Sequence, residues 1–136
     1  MENDLSVIIV DYLQLMQGNG CSETGMQEIS EVSASLKEIA GELSVPVVVL
    51  LQMGREVEER EDHRPVLADL RESGPILDIA DVILFIYRED YYKCNESTKK
   101  NTAEIIIAKN SGGETGIVEV GFEEGRFFRK NTAYTS

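Results

Sequence analysis

Basic residues are scarce in this 136-residue sequence, in which 13 Lys and Arg stand against 25 Asp and Glu for a formal net charge of −12. A protein that holds nucleic acid by its phosphates usually shows a basic patch. The composition therefore argues against a broad nucleic-acid surface, unless positive charge is confined to a central channel or lies on a part of the protein outside this sequence.

Long apolar runs and closely spaced cysteines are lacking as well. No apolar run approaches the roughly 20 residues of a membrane-spanning helix, and the acidic start at residues 1–4 is not a signal peptide. Cys21 and Cys94 match no metal-ligand spacing, and the single histidine, His63, has no partner at such a spacing. We therefore expect a cytoplasmic protein without membrane contact, with two reduced thiols and a histidine that is exposed to solvent or near DNA.

The sequence does contain short apolar runs that alternate with an amphipathic helix. Residues 7–10 and 47–51 are β-branched or leucine runs typical of buried parallel strands. Between them, residues 27–43 repeat apolar side chains at three- and four-residue spacing. Strand, helix and strand in this order predict a right-handed crossover. We therefore predict an α/β protein with a mostly parallel, twisted sheet flanked by helices.

The rest of the chain continues this alternation. Four further strands are predicted at residues 82–87, 104–108, 117–122 and 126–128. The last two are predicted to form a terminal antiparallel hairpin. Polar segments are interpreted as exposed loops, and residues 67–79 as short helical pieces; the loops are 18–25, 52–65 and 90–102. We expect one domain over 1–130 and a loose tail over 131–136.

Polar side chains follow the first two predicted strands. Asp11 comes directly after the first strand, and Gln52 after the second. Ligands of open parallel sheets bind at the carboxyl ends of the strands, where a carboxylate can hold the magnesium of a nucleotide and an amide can sense a phosphate. Asp11 is equally readable as a turn or helix-cap residue, and Gln52 as a strand cap. On these residues alone, both interpretations stay open.

Five segments, which cover nearly the whole chain in order, resemble DnaB-type replicative DNA helicases. DYLQLM and DLRESG are far more specific to that family than to RecA-like ATPases in general. The five segments are VIIVDYLQLM, EISEVSASLKEIAGELSVPVVVLLQMGREVEERED, HRPVLADLRESG, DIADVILFIYRED and AEIIIAKNSGGETGIVEVGF. The resemblance implies the C-terminal part of a RecA-like motor domain, with a C-terminal antiparallel hairpin and without the P-loop strand. It also implies ATP and Mg²⁺ as cofactors.

The resemblance implies roles for individual residues. Asp11 matches the magnesium-associated aspartate, and Gln52 the glutamine that links nucleotide state to DNA contact, so both are expected to be catalytic. Lys109 matches a lysine that reaches the nucleotide of the neighbouring subunit. A loop that faces single-stranded DNA is implied for Arg71, Glu72 and Gly74. Without the resemblance, DLRESG would be interpreted as a solvated helix start.

Two positions depart from the family pattern. No GxxxxGK[ST] sequence, which would cradle the phosphates, occurs anywhere in the chain. Ser111 stands where the family places an arginine finger, two residues after Lys109. We therefore expect a fragment or truncated gene product that is inactive alone.

The resemblance implies that the complete protein is a homo-hexamer that moves along single-stranded DNA and unwinds the duplex during replication. A helicase loader and a primase are its implied partners. The alternative is a non-catalytic interaction module that binds a helicase or its loader, and a third possibility is a relict that folds without acting. An upstream P-loop would favour the first.

Overall fold

A computed structural model describes residues 4–11, 25–73 and 75–130 of the chain. The chain divides into two compact units, each with its own sheet. The first unit comprises Met1–Glu56 and Leu67–Ala80, and the second comprises Val57–Val66 and Asp81–Ser136. The predicted tail over 131–136 and most of the predicted loop over 18–25 lie outside the described residues.

The first unit contains the predicted crossover. Strand β1 (Ile8–Val10) and strand β2 (Val47–Val49) are parallel neighbours, and helix α1 (Gly25–Leu43) lies between them in the sequence. The ladder continues at both ends, because Ile8 N donates to Pro46 O (3.0 Å) and Leu50 N donates to Val10 O (2.9 Å). Strand, helix and parallel strand are therefore confirmed here.

The end of α1 has a local cause. Ser44 takes a left-handed φ of 53°, which ends the helix, and Val45 N donates to Ala40 O (3.3 Å). Pro46 follows, and it cannot continue a helix. The chain therefore turns directly from α1 into β2.

The core of the first unit forms between α1 and a short helix, α3 (Ile76–Ile79). Leu36 and Ile76 are its buried members, and the residues packed against them are Val10, Ile29, Val32, Val47, Val49, Leu51 and Ala80. The 3₁₀ helix Leu67–Ser73 precedes α3, and together they confirm the short helical pieces predicted over 67–79. The apolar stripe of α1 thus covers one face of the parallel pair.

The second unit is built on a four-stranded antiparallel sheet. Its strands, in spatial order, are β3 (Val82–Tyr87), β4 (Thr102–Asn110), β5 (Gly116–Glu123) and β6 (Arg126–Phe128). The described strands therefore form one parallel pair and three antiparallel pairs, whereas the sequence analysis predicted a mostly parallel sheet. The α/β class itself and the terminal antiparallel hairpin are confirmed.

Connection length explains the difference. Parallel neighbours need a crossover of a dozen or more residues, usually a helix that spans the strand length. The links from β4 to β5 and from β5 to β6 are far shorter than that. The link from β3 to β4 holds only helix α4 (Glu89–Lys93) and the 3₁₀ turn Cys94–Glu96, so the chain returns at the same end of the sheet.

The two polar segments interpreted as exposed loops contain short helices. Helix α2 (Glu56–Glu59) lies in the segment 52–65 and buries Val57, which is 3% exposed. The segment 90–102 contains most of α4 and the 3₁₀ turn. Helices of five residues or fewer cannot show a 3.6-residue apolar repeat, so the loop interpretation was wrong at these points.

None of the described helices is long and apolar enough to cross a membrane. Cys94 is an exposed free thiol, whereas Cys21 lies outside the described residues.

Candidate functional site

The carboxyl ends of the parallel strands carry Asp11 and Gln52. Strand β1 ends at Val10, which lies opposite Val49 of β2, and Asp11 is the next residue. Because β2 ends earlier than the predicted strand, Gln52 lies three residues beyond Val49. Both residues are exposed. A carboxylate and an amide therefore lie at the same end of the same strand pair.

This arrangement suits a metal ion that is shared with a ligand. Magnesium prefers to keep several waters and is usually held by one or two carboxylates together with phosphate oxygens. Within residues 4–11, 25–73 and 75–130, no group of three or more His, Cys, Asp or Glu side chains could hold a metal ion. Asp11 thus fits as a single carboxylate toward a nucleotide-bound ion, and Gln52 as a neutral hydrogen-bonding group beside it.

The DLRESG segment lies on the 3₁₀ helix of the first unit. Leu70 is 4% exposed and fixes this helix, which packs against α1 and α3. Arg71 is exposed, so its side chain reaches the surface of the unit. Glu72 belongs to the same helix, whereas Gly74 lies outside the described residues. Arg71 is therefore the member of the predicted DNA loop whose side chain can be placed.

Lys109 lies beside a β-bulge near the end of β4. Ile107 pairs with Leu84 and Lys109 pairs with Ile83, so Ala108 is an extra residue in the ladder. Bulges redirect side chains and are frequent next to active sites. Lys109 belongs to the second unit, whereas Asp11, Gln52 and Arg71 belong to the first.

Ser111, at the position expected for an arginine finger, is exposed in the turn after β4. Its backbone N donates to Asp81 O (2.9 Å), which closes the turn against the start of β3. A serine hydroxyl cannot supply the positive charge of a guanidinium. This position therefore cannot stabilise phosphate charge as an arginine would.

A charge network in the second unit was not predicted from the sequence. The side chain of Glu104 is 4% exposed and accepts hydrogen bonds from both terminal nitrogens of Arg64 and from Lys99 Nζ (2.7 Å). Lys99 also donates to Glu119 (2.5 Å). The guanidinium of Arg64 lies over the ring of Tyr87, 4.6 Å from its centroid. Glu104 is thus a nearly buried acid between two cations.

The pKa values of this network follow its geometry. The hydrogen bond from Arg64 lowers the pKa of Glu104 below its usual value, although burial acts in the opposite direction. Hydrogen bonds to Glu104 and Glu119 raise the pKa of Lys99. The charged forms of both residues are therefore favoured in the folded protein.

His63 is half-buried rather than fully exposed. Its ring stacks on Tyr92 at a centroid distance of 4.2 Å and an angle of 14°, and Tyr92 stacks on Tyr87 at 5.8 Å. His63 Nδ1 lies 3.1 Å from Val57 O. Burial raises the pKa values of Tyr87 and Tyr92. The aromatic stack and Glu104 could have been suspected from one signal, a glutamate at the start of an otherwise apolar strand.

The stack and the network border a cleft of about 520 Å³, lined by Arg60, Glu61, Asp62, His63, Arg64, Tyr87, Glu89, Lys93, Thr98 and Lys99. Its cations already bond within the unit. Lys93 pairs with Glu89 (3.2 Å), and Arg60 donates to the backbone carbonyls of Asp62 (3.0 Å) and Arg64 (2.6 Å). We therefore assign this cleft to the stability of the unit.

Comparison with protein families identifies the fold. The family described as DnaB-like helicase C terminal domain matches residues 1–129. The chain belongs to this family. The DnaB-type resemblance of its sequence segments is thereby confirmed.

Relatives with names support the same assignment. The replicative DNA helicase DnaB of Geobacillus stearothermophilus is 52% identical over 122 residues, which are 89% of this chain and 27% of that protein. The replicative DNA helicase DnaC of Bacillus subtilis is 51% identical, again over 89% of this chain and 27% of the relative. The chain thus spans about a quarter of the length of these relatives.

Solved structures have the same fold. One of them, an ATPase domain that we call the solved ATPase domain, superimposes with a TM-score of 0.86 and 44% identity over 91% of this chain and 44% of that one. A DnaB-like replicative helicase, solved in a study of its interactions with primase, gives the same TM-score and identity over 31% of its length. These neighbours are RecA-like ATPase domains, so this DnaB-family chain has a partial RecA-like fold.

Proposed function

We propose that this chain is the C-terminal part of the motor domain of an ATP-dependent replicative DNA helicase. One observation carries the proposal: Asp11 and Gln52 lie together at the carboxyl end of a parallel strand pair. Open α/β sheets bind nucleotides at this end. Relatives named as replicative DNA helicases support the choice of reaction, which in the complete protein is ATP-driven unwinding of DNA.

Each site residue has a distinct role in this proposal. Asp11 holds the magnesium of ATP, whose charge would neutralise phosphate oxygens. Gln52 hydrogen-bonds near the terminal phosphate and registers its presence. Lys109 contacts the nucleotide bound by a neighbouring subunit. Arg71, with Glu72 and Gly74, contacts the backbone of single-stranded DNA, which positions the strand without reading its sequence.

The proposed setting is a cytoplasmic homo-hexamer on single-stranded DNA. A role for Lys109 in a neighbour's site requires such a ring. Primase is a proposed partner because a related helicase was studied with primase, and a helicase loader is proposed on the family resemblance alone. Net charge of −12 fits DNA contact only if cations such as Arg71 line the channel.

A chimeric helicase tests the proposal. The chain would replace the matching segment of the Geobacillus stearothermophilus relative, which supplies the remaining parts of the protein. We expect DNA-stimulated ATP hydrolysis and unwinding from the chimera. Asp11→Asn should reduce hydrolysis by at least about 100-fold, because the amide keeps the shape but loses the charge toward the metal. Asp4→Asn, an exposed aspartate before β1, is the matched control.

Gln52→Ala and Arg71→Ala separate the two proposed contacts in the same chimera. Gln52→Ala should keep part of the basal hydrolysis and lower the ratio of DNA-stimulated to basal rate. Arg71→Ala should weaken DNA binding and largely spare basal hydrolysis. If Gln52→Ala leaves both the ratio and the unwinding rate unchanged, the glutamine is only a strand cap. If Asp11→Asn hydrolyses ATP like Asp4→Asn, the nucleotide site lies elsewhere.

A second candidate function is a non-catalytic module that binds a helicase or its loader. The observation in its favour is that no GxxxxGK[ST] sequence occurs in the chain. Such a module would bind an intact DnaB-type helicase and change its activity without contributing to hydrolysis. An inactive chimera, together with inhibition of the intact relative by the isolated chain, would favour this function.

A further inference from the structure

The antiparallel sheet of the second unit has an apolar face that is open to solvent. Residues paired across antiparallel strands share a face of the sheet. Leu84 therefore lies on the same face as Ile107, and Ile86 on the same face as Ile105. We define this open face by Val82, Leu84, Ile86, Ile105, Ile107 and Val118.

Exposure differs sharply between the two faces of β3. Leu84 and Ile86 are 54% and 60% exposed, whereas Phe85 and Tyr87 on the other face are 4% and 6% exposed. All six residues of β3 are nevertheless apolar or aromatic. A continuous run of this kind is typical of a strand that is covered on both faces, whereas one-sided strands alternate with polar residues. The sequence of β3 thus specifies a cover that the described residues do not supply.

The solved relatives indicate what this cover is. The solved ATPase domain matches 91% of this chain with a TM-score of 0.86, yet the match accounts for only 44% of that domain. More than half of the domain therefore has no counterpart here. A large exposed apolar patch normally marks an interaction surface. None of the six residues of the open face is charged, so its cover must also be apolar.

We propose that the open face docks the part of a DnaB-type ATPase domain that has no counterpart in this chain. The two polypeptides would associate non-covalently and complete one ATPase domain. This surface is independent of the roles proposed for Asp11 and Gln52, since it depends on apolar contact and not on nucleotide.

Co-expression tests the docking. The probe is the part of the solved ATPase domain that the chain does not match, produced with an affinity tag beside the full 136-residue chain. We expect the two to co-purify at a 1:1 ratio and to remain together in light scattering after gel filtration. The amount of chain retained should not depend on added ATP. No retained chain, or a chain that forms only homo-oligomers, overturns the proposal.

A pair of variants locates the contact. Leu84→Glu places a charge in the open face and should reduce retention by at least about tenfold, because the buried charge would have no partner. Ile117→Glu is the matched control, since Ile117 is 56% exposed but pairs with Ile106 on the opposite face. Thermal melting of each variant alone checks its fold, and Val82→Glu repeats the test at a second position. Equal retention of the Leu84 and Ile117 variants, both folded, would exclude this face.

Discussion

At the scale of single residues, Glu104 has the most constrained surroundings among the described residues. Its carboxylate is nearly buried, yet both partners, Arg64 and Lys99, are partly exposed, with side chains 36% and 41% accessible. A buried acid whose partners remain attached to solvent is stabilised by them without a full desolvation cost for all three groups. Removing the charge of Glu104 should therefore be felt more strongly than removing an exposed partner.

We predict that Glu104→Gln lowers the free energy of unfolding by about 2 kcal/mol, a value reduced for the exposure of Arg64 and Lys99. The amide keeps the shape of the side chain but leaves two cations facing a neutral group. Urea unfolding of the chain measures the change. Glu119→Gln is the control, because Glu119 also bonds Lys99 but is 44% exposed, and it should cost less than about 0.5 kcal/mol. Equal losses would show that burial of Glu104 is irrelevant.

The lowered pKa of Glu104 gives its contribution a defined pH dependence. Since the folded pKa lies below the ordinary value of 4.5, the stabilisation is complete above that value and is lost as pH falls through the folded pKa. The difference in unfolding free energy between wild type and Glu104→Gln should therefore shrink between about pH 7 and about pH 3. Urea titrations at both pH values measure it. A constant difference would contradict the ionised state of Glu104.

At the scale of elements, the hairpin between β5 and β6 depends on two left-handed residues. Glu124 and Gly125, at φ 48° and 79°, form its two-residue turn between Glu123 and Arg126. Turns with positive φ at both positions match the twist of the strands and favour Asn or Gly. Glycine adopts this conformation without strain, whereas glutamate does so at some cost.

We predict that Gly125→Ala destabilises the second unit by about 1 kcal/mol, and that Glu124→Asn stabilises it by a few tenths to about 1 kcal/mol. The cost at Gly125 is purely conformational, since an added Cβ would meet no atom within 4 Å. Gly112→Ala is the control, because a Cβ there is equally unobstructed and its φ is not in the left-handed range. Chemical unfolding of the three variants decides. A loss at Gly112 equal to that at Gly125 would refute the conformational explanation.

Elements were predictable from the sequence where their pattern is long or strong. The 19-residue α1 and the apolar run of β3 were found at nearly their observed bounds. Strand direction was not, since apolar runs look alike in parallel and antiparallel sheets. Glu104 was missed because its partner Arg64 lies 40 residues away in a polar segment. Asp11 and Gln52 could be placed because strand ends are visible in the sequence, although their roles remain predictions.

At the scale of the whole molecule, the net charge of −12 dominates interactions with polyanions. We predict that the isolated chain binds a single-stranded oligonucleotide more weakly than about 1 µM at physiological salt, with affinity falling steeply as salt rises. Fluorescence anisotropy measures this. Submicromolar affinity would mean that the cations form a concentrated patch despite the overall charge.

We also predict that the isolated chain releases no phosphate from ATP above background, with or without DNA. The physical reason is that the chain contains no GxxxxGK[ST] loop to cradle the phosphates, and one carboxylate with one amide cannot replace it. A phosphate-release assay on purified chain tests this, with Asp11→Ala as the control for contaminating ATPases. DNA-stimulated release that Asp11→Ala abolishes would overturn the prediction.

The bulge at Ala108 means that β4 has one residue more than regular pairing requires between Glu104 and Lys109. Without Ala108, the ladder could run unbroken with Glu104 still opposite Tyr87 and Lys109 still opposite Ile83. A one-residue deletion within β3 has no such reserve, because it would reverse the faces of every residue on one side of the gap. Among relatives of this chain, differences in length should therefore be tolerated in β4 near position 108 and selected against in the strand that it pairs with.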